Sequence, residues 1–309
     1  MMATRHLITG ATGATGGEVV RLLLDAGASV RALAHREDER SRELQRRGAE
    51  VVYGDFLDFD AVRSALAGVN CAYFCYPISP GIAQATAQFA QASKEAGVAF
   101  IVNMSQKSAR GDAKSEAARQ HWLSERVFDW SGVPVAHIRP TYFAEWLLYL
   151  APMIRQGVML APFSATGRHA PIAAEDQARV IVGMLEKPDA HAGKIYPLFG
   201  PVELTHPQIA EIVGRVLGKE VKYQQITLQK FMEVLGTQPP REQNTAAAMY
   251  RDPASQAGRP NYVAQHLHEV AIDHTNGVFA GTNNHVLEIG GRAPLTVEAF
   301  VDKHRAAFL

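Results

Sequence analysis

The 309-residue sequence predicts an α/β protein built on a doubly wound parallel sheet, with a smaller and mostly helical lobe after it. Three observations carry that reading. Short apolar runs alternate with amphipathic ones through the first 140 residues; a glycine triplet falls between the first run and the first helix; and the alternation loosens after Pro140.

The elements follow in order. Leu7-Ile8 reads as the first strand, residues 18–26 as a helix, 30–34 as a strand, 41–47 as a helix, 51–53 as a strand and 61–66 as a helix. That is βαβαβα, whose right-handed crossovers place helices on both faces of a parallel sheet. A fourth strand is expected at Cys71–Cys75, a helix at 82–96, a fifth strand at 99–104, a long helix at 113–130 stopped by Ser131-Gly132, and a sixth strand at 133–139 closed by Pro140. Later, residues 175–185, 207–217, 228–234, 262–270 and 296–307 read as helices, with 194–198 the clearest remaining strand. The expected division is 1–152 for the sheet domain and 153–309 for the second lobe, with residues 174–200 returning to the first. Pro239-Pro240 and residues 251–260 mark surface loops of the second lobe.

Composition excludes several classes of partner. Apolar residues make up 47% and charged ones 20%, enough for a real core, and 31 basic against 31 acidic side chains leave no field to draw in nucleic acid or an anionic membrane. The dense run 35–47 mixes both signs, which is the pattern of a solvated helix face. Residues 142–163 are apolar but interrupted by Glu145 and Arg155, short of a membrane span. Cys71 and Cys75 lie on one strand face, roughly 13 Å apart, and cannot pair. With no leader pattern at the first residues, the expected location is the cytoplasm.

The glycine triplet is the first functional signal. In Thr9-Gly10-Ala11-Thr12-Gly13-Ala14-Thr15-Gly16-Gly17, Gly10 permits a tight turn, Gly13 lets backbone approach a pyrophosphate, and Gly16 lets helix and strand pack closely. Thr9, Gly10, Thr12, Gly13, Ala14, Thr15 and Gly16 are therefore candidate dinucleotide contacts, in a Rossmann domain. After the second strand an acid suits the ribose 2′-hydroxyl of NAD, and an arginine the 2′-phosphate of NADP. His35-Arg36 stands there, so Arg36 selects NADP(H) over NAD(H). Gly54-Asp55-Phe56, past the third strand, has two readings: Asp55 and Phe56 meet the adenine, or the segment is an ordinary turn.

These residues resemble the NmrA-like group of atypical short-chain dehydrogenases/reductases. The resemblance also runs through Val30-Arg31-Ala32-Leu33-Ala34-His35-Arg36, Gly54-Asp55, His121-Trp122-Leu123-Ser124-Glu125, Ile138-Arg139-Pro140, Ala173-Ala174-Glu175-Asp176-Gln177-Ala178 and residues 291–300. It implies the fold, NAD(P)H binding, and one of two functions: reduction of quinones or triphenylmethane dyes, or regulation through a protein partner without turnover. The Tyr-x-x-x-Lys pair of ordinary members is missing, for no tyrosine lies between Tyr76 and Tyr142.

The helix that would carry that pair offers His121 and Glu125 on one face. Either they act in catalysis, or Glu125 fixes the imidazole and anchors the helix. Ser105, after the fifth strand, and Tyr142, after the sixth, reach the cleft beyond the strand ends; Tyr142 either donates a proton or packs on the nicotinamide. Ser105, His121 and Tyr142 are the catalytic candidates, and Phe143, Trp146 and Leu147 the substrate wall, with an open apolar cavity expected beside them. No metal site is expected: His121 and Glu125 lack a third ligand at a readable spacing, and His266-x-His268 reads as a helix surface.

The missing pair bears on the acceptor. Hydride on a ketone makes an alkoxide, whose acid lies near water's pKa of about 15.7, while a quinone gives a phenolate near about 10; the gap is worth roughly 8 kcal/mol. Without the Tyr-x-x-x-Lys pair, the expected acceptors are quinoid, cationic or otherwise electron-poor and conjugated. The expected partner is that small molecule, with a second copy of the chain or a regulatory protein left open.

Overall fold

The computed structural model describes residues 4–236 and 262–309. The loops expected at Pro239-Pro240 and 251–260 lie outside the described residues. The chain begins β1 (Arg5–Ile8), α1 (Ala14–Asp25), β2 (Ser29–Ala34), α2 (Glu39–Arg46), β3 (Glu50–Tyr53), α3 (Phe59–Leu66), β4 (Cys71–Phe74), α4 (Ile82–Ala96), β5 (Phe100–Met104), α5 (Glu116–Ser131) and β6 (Val135–Pro140). With β9 (Ile195–Leu198), these strands make a seven-stranded sheet in the order β3-β2-β1-β4-β5-β6-β9. Every pairing in it is parallel. The order reverses between β1 and β4, which opens a crevice at their carboxyl ends, where such sheets take ligands.

Local chemistry sets the helix boundaries. Asp38 caps α2 in a reciprocal box with Ser41, so the helix starts at Glu39, two residues before the expected start. Its arginines pair with acids on the same surface: Arg42 with Glu37, Arg46 with Glu39, Arg47 with Glu43. The run 35–47 is thus the solvated face its mixed charge indicates. Ser115 caps α5 by accepting from the Ala118 N–H, which moves the start from the expected 113 to Glu116.

After β6 come α6 (Trp146–Arg155), β7 (Val158–Ala161), β8 (Arg168–His169), α7 (Ala174–Glu186), the short α8 (Pro188–His191), β10 (Leu204–Thr205), α9 (His206–Leu217), β11 (Lys222–Gln225) and α10 (Leu228–Gly236). Then follow α11 (Tyr262–Thr275), α12 (His285–Gly290) and α13 (Val297–Lys303). Helix α6 tolerates Pro152. It was not expected, nor were the small pairings β7 with β11 and β8 with β10.

The described residues bury their apolar side chains in separate clusters. The first lies on one sheet face between α1 and α7 and includes Ile8, Val19, Val102, Ile138, Val180 and Leu198. The second begins at Ala144 and gathers Leu147, Leu150, Met153, Phe163, Phe231, Val270 and Phe300. Residues 174–198 re-enter the first body, as α7 against α1 and as β9 beside β6. A third cluster, around Phe74, Phe89 and Phe128, fills the opposite sheet face. No described helix is long and apolar enough to cross a membrane.

Candidate functional site

The crevice between β1 and β4 is lined by the glycine turn. Gly10 adopts φ +58°, a left-handed conformation that favours glycine, and its carbonyl accepts the Gly13 N–H at 2.9 Å. A Cβ on Gly16 would lie 2.3 Å from that carbonyl oxygen, so only glycine lets α1 approach β1 this closely. Gly13 is the N-cap of α1, yet no side chain caps the helix and its first turn holds no acid. The first N–H groups of α1 are therefore left for an outside anion. The Thr15 hydroxyl, buried at the same turn, has no hydrogen-bond partner. This cradle fits the pyrophosphate of a dinucleotide.

Thr9 differs from its neighbours. It is fully buried, and its hydroxyl donates to the Tyr73 carbonyl at 3.0 Å and accepts from the Cys75 N–H at 2.8 Å. Its side chain joins β1 to β4 beneath the cradle instead of reaching a ligand, which corrects its place among the direct contacts. Thr12 and Gly13 are half-buried and Ala14 is exposed on the cradle's open side.

Arg36 is exposed just past β2, and among the described residues it makes no ion pair. The acids beside it are taken: Glu37 by Arg42 and Asp38 by Arg40. Asp55, just past β3, lies 3.7 Å from the His35 imidazole and accepts the Leu57 N–H. Phe56 packs edge-on against Phe74 and Tyr76, 5.5 and 5.6 Å away, so its ring is part of the sheet-face cluster.

At the mouth of β5, the Ser105 N–H donates to the Ile138 carbonyl, and the hydroxyl is buried without a partner. The reading that Glu125 fixes His121 does not hold. Glu125 receives Arg139 through two hydrogen bonds of 2.8 and 2.5 Å, tying α5 to β6. Both His121 nitrogens are buried without a partner, and burial, aided by nearby His266, pushes the imidazole down to about 3, so it is neutral. His266 is itself buried and bonded through Nδ1 to the Ser115 hydroxyl at 2.7 Å, which corrects the helix-surface reading for this residue. His268 is exposed.

Tyr142 is turned into the second lobe. Its ring lies 4.6 Å from His169, 4.7 Å from Phe279 and 5.0 Å from Phe163, and its hydroxyl has no partner. Burial holds the phenol well above its usual range. The structure does not bring Ser105, His121 and Tyr142 into mutual hydrogen bonds. Phe143 packs against the first core, Trp146 lies half-buried 5.3 Å from Tyr149, and Leu147 is buried in the second core, with its side chain filling that core. Two surface hollows, of about 640 and 540 Å3, lie between α1 and α7 and beside α9 and β11; neither touches these residues.

Two residues carry signals that were overlooked in the sequence. Lys107, two positions beyond Ser105, lies half-buried with Nζ 5.6 Å over the Phe199 ring, and no ion pair engages it among the described residues; burial and Arg139 hold its pKa below the usual range. Its position after β5 was the available clue. Glu145 accepts the Ala174 N–H at the start of α7, and burial pushes its carboxyl up to about 7.

Comparison with known proteins agrees with this architecture. The chain is 30% identical over 305 residues to the NAD(P)H azoreductase of Xenophilus azovorans, covering 98% of each chain. The NADPH-dependent quinone oxidoreductase of Escherichia coli, solved with NADPH, superposes with a TM-score of 0.79 at 23% identity, over 98% of this chain and 100% of that one. The triphenylmethane reductase of a Citrobacter species superposes at 0.76 with 19% identity, over 97% and 99%. The model of the NmrA-like family matches residues 2–281, and together with the near-complete match to the azoreductase this establishes that the chain belongs to the NmrA-like family.

Proposed function

We propose that the protein is an NAD(P)H-dependent reductase that prefers NADPH and acts on quinoid, azo or other electron-poor conjugated small molecules. The observation that carries the reading is the uncapped amino terminus of α1 behind Gly10 and Gly16, set at the strand-order reversal. The azoreductase, quinone oxidoreductase and dye reductase relatives support it.

In this reading the cofactor, when bound, supplies the hydride. The residues of the chain do the rest. The turn from Gly10 through Thr12, Gly13, Ala14, Thr15 and Gly16 holds the pyrophosphate, Arg36 takes the 2′-phosphate, and Asp55 with Phe56 bounds the adenine end. The orphaned Ser105 hydroxyl is a donor for the acceptor or the carboxamide. Phe143 and Trp146 shield the acceptor side from water. Tyr142 keeps its proton, held there by burial. His121, neutral and walled off between α5 and α11, positions that helix.

The test is NADPH oxidation against a benzoquinone, an azo dye, a triphenylmethane dye and cyclohexanone. Turnover on at least one conjugated acceptor, with the ketone far slower, is expected. Equal rates on ketone and quinone would show an unrecognised proton donor and refute the acceptor class. No oxidation across the whole panel would leave the regulatory reading.

A further inference from the structure

Three histidines distant in sequence meet in the second lobe. His169 ends β8, His206 opens α9, and His274 lies near the end of α11. The antiparallel pairing of β8 with β10 sets His169 opposite Leu204, so His206, two residues on, is delivered to the same place. Helix α11 brings His274 from the other side. One ring nitrogen of each histidine lies within 4.8 Å of one from each of the others. The closest pair, His169 Nδ1 and His274 Nε2, is 3.1 Å apart.

Their surroundings offer little else to bond. Nδ1 of His206 and of His274 are buried without a partner, and so is the hydroxyl of Tyr142. Phe163 stacks on His206 at 5.2 Å, and Tyr223 stacks on it at 5.3 Å. No carboxylate pairs with any of the three among the described residues. A Cβ on Gly167 would lie 2.4 Å from Cε1 and Nδ1 of His274, so the chain leaves out a side chain to seat this ring. Packing alone would be met by phenylalanine or leucine, which bring no buried nitrogens to satisfy.

We propose that His169, His206 and His274 form a three-nitrogen site for a divalent transition-metal ion of the zinc class, with the Tyr142 hydroxyl or a water as the remaining ligand. Neutral imidazoles with one oxygen are a donor set that zinc and cobalt accept. At metal–nitrogen distances of about 2.0–2.1 Å the ligand nitrogens stand roughly 3.3 Å apart. The 3.1 Å pair is already near that spacing, and the third nitrogen lies within 4.8 Å of both. The ion would lock α11 to β8 and α9, beside the ion pair of Arg110 with Asp273 that holds α11 to the loop after β5. This site stands whether or not the reductase reading does.

The test uses the full-length chain stripped with a chelator and titrated with Co2+, followed by the visible bands of a tetrahedral complex, with Zn2+ as competitor. We expect about one equivalent to bind, Zn2+ to raise the melting temperature of the stripped protein, and His169→Gln or His206→Gln to weaken binding by about tenfold or more while circular dichroism stays unchanged. Gly167→Ala, which removes no ligand but displaces the His274 ring, should weaken it too. Absence of a saturable Co2+ spectrum in the wild type, or variants that bind as tightly as the wild type, would overturn the proposal. If the variants do not fold, the stripped and reloaded wild type decides alone: an unchanged melting temperature counts against the site.

Discussion

Replacing Gly16 by alanine tests the cradle where its geometry is tightest. The added Cβ would stand 2.3 Å from the Gly10 carbonyl oxygen, 2.7 Å from the carbonyl carbon and 3.0 Å from the Ala11 nitrogen. An ordinary carbon–oxygen contact is about 3.3 Å, so α1 and the turn must part by roughly 1 Å. All three atoms are backbone, so no side-chain rotation relieves the clash. Overpacking of this kind costs about 1–3 kcal/mol of stability. Moving the helix start also pulls its N–H groups off the phosphate. A lost charge-assisted hydrogen bond is worth about 1.5–3 kcal/mol, or roughly ten- to a hundredfold in affinity. Gly17→Ala is the internal control, since its Cβ would meet only the Ala11 carbonyl, at 3.2 Å. Titration of both variants with NADPH by fluorescence, alongside thermal melts, should show Gly16→Ala binding at least about tenfold more weakly and Gly17→Ala much closer to the wild type. A Gly16→Ala protein that binds as the wild type does would refute the argument that this close approach builds the site.

Three further outcomes are expected. Because Arg36 is exposed with no competing ion pair among the described residues, NADPH should bind about tenfold tighter than NADH after allowance for solvent screening, and Arg36→Ala should remove most of the difference; equal affinities for the two in the wild type would end the assignment. In chelator-treated protein, stability should fall as pH drops from about 6.5 toward 4, because His121, His206, His266 and His274 are held near 3, 3, 4 and 4 and take up protons on unfolding. Glu145 works in the opposite sense. Its carboxyl is raised to about 7, so its contribution is present at low pH and lost as pH rises from about 4.3 to 7, and Glu145→Gln should raise the melting temperature more at pH 8 than at pH 5. A melting temperature that does not change between pH 7 and pH 4.5, or a Glu145→Gln shift independent of pH, would contradict these burial effects.

The sheet, its crevice and the phosphate cradle were legible in the sequence because each is written in local terms. Strand and helix periodicity, the spacing of Gly10, Gly13 and Gly16, and an arginine after β2 are all read within a few residues. Tertiary structure decided what depended on distant partners. Glu125 and His121 share a helix face, and the sequence alone left open whether they pair or act in catalysis; Arg139, arriving on β6, offers the carboxylate a full charge and two donors where the imidazole offers one, and it takes Glu125. Tyr142 follows the sixth strand as expected, but which way its ring turns is set by the second core and by histidines from β8, α9 and α11. Those histidines fall in unrelated segments, with no periodicity linking them, so only folding could show them together. Local patterns fix what the backbone does, whereas the partners of a buried polar side chain are chosen by whichever elements the packing brings within reach.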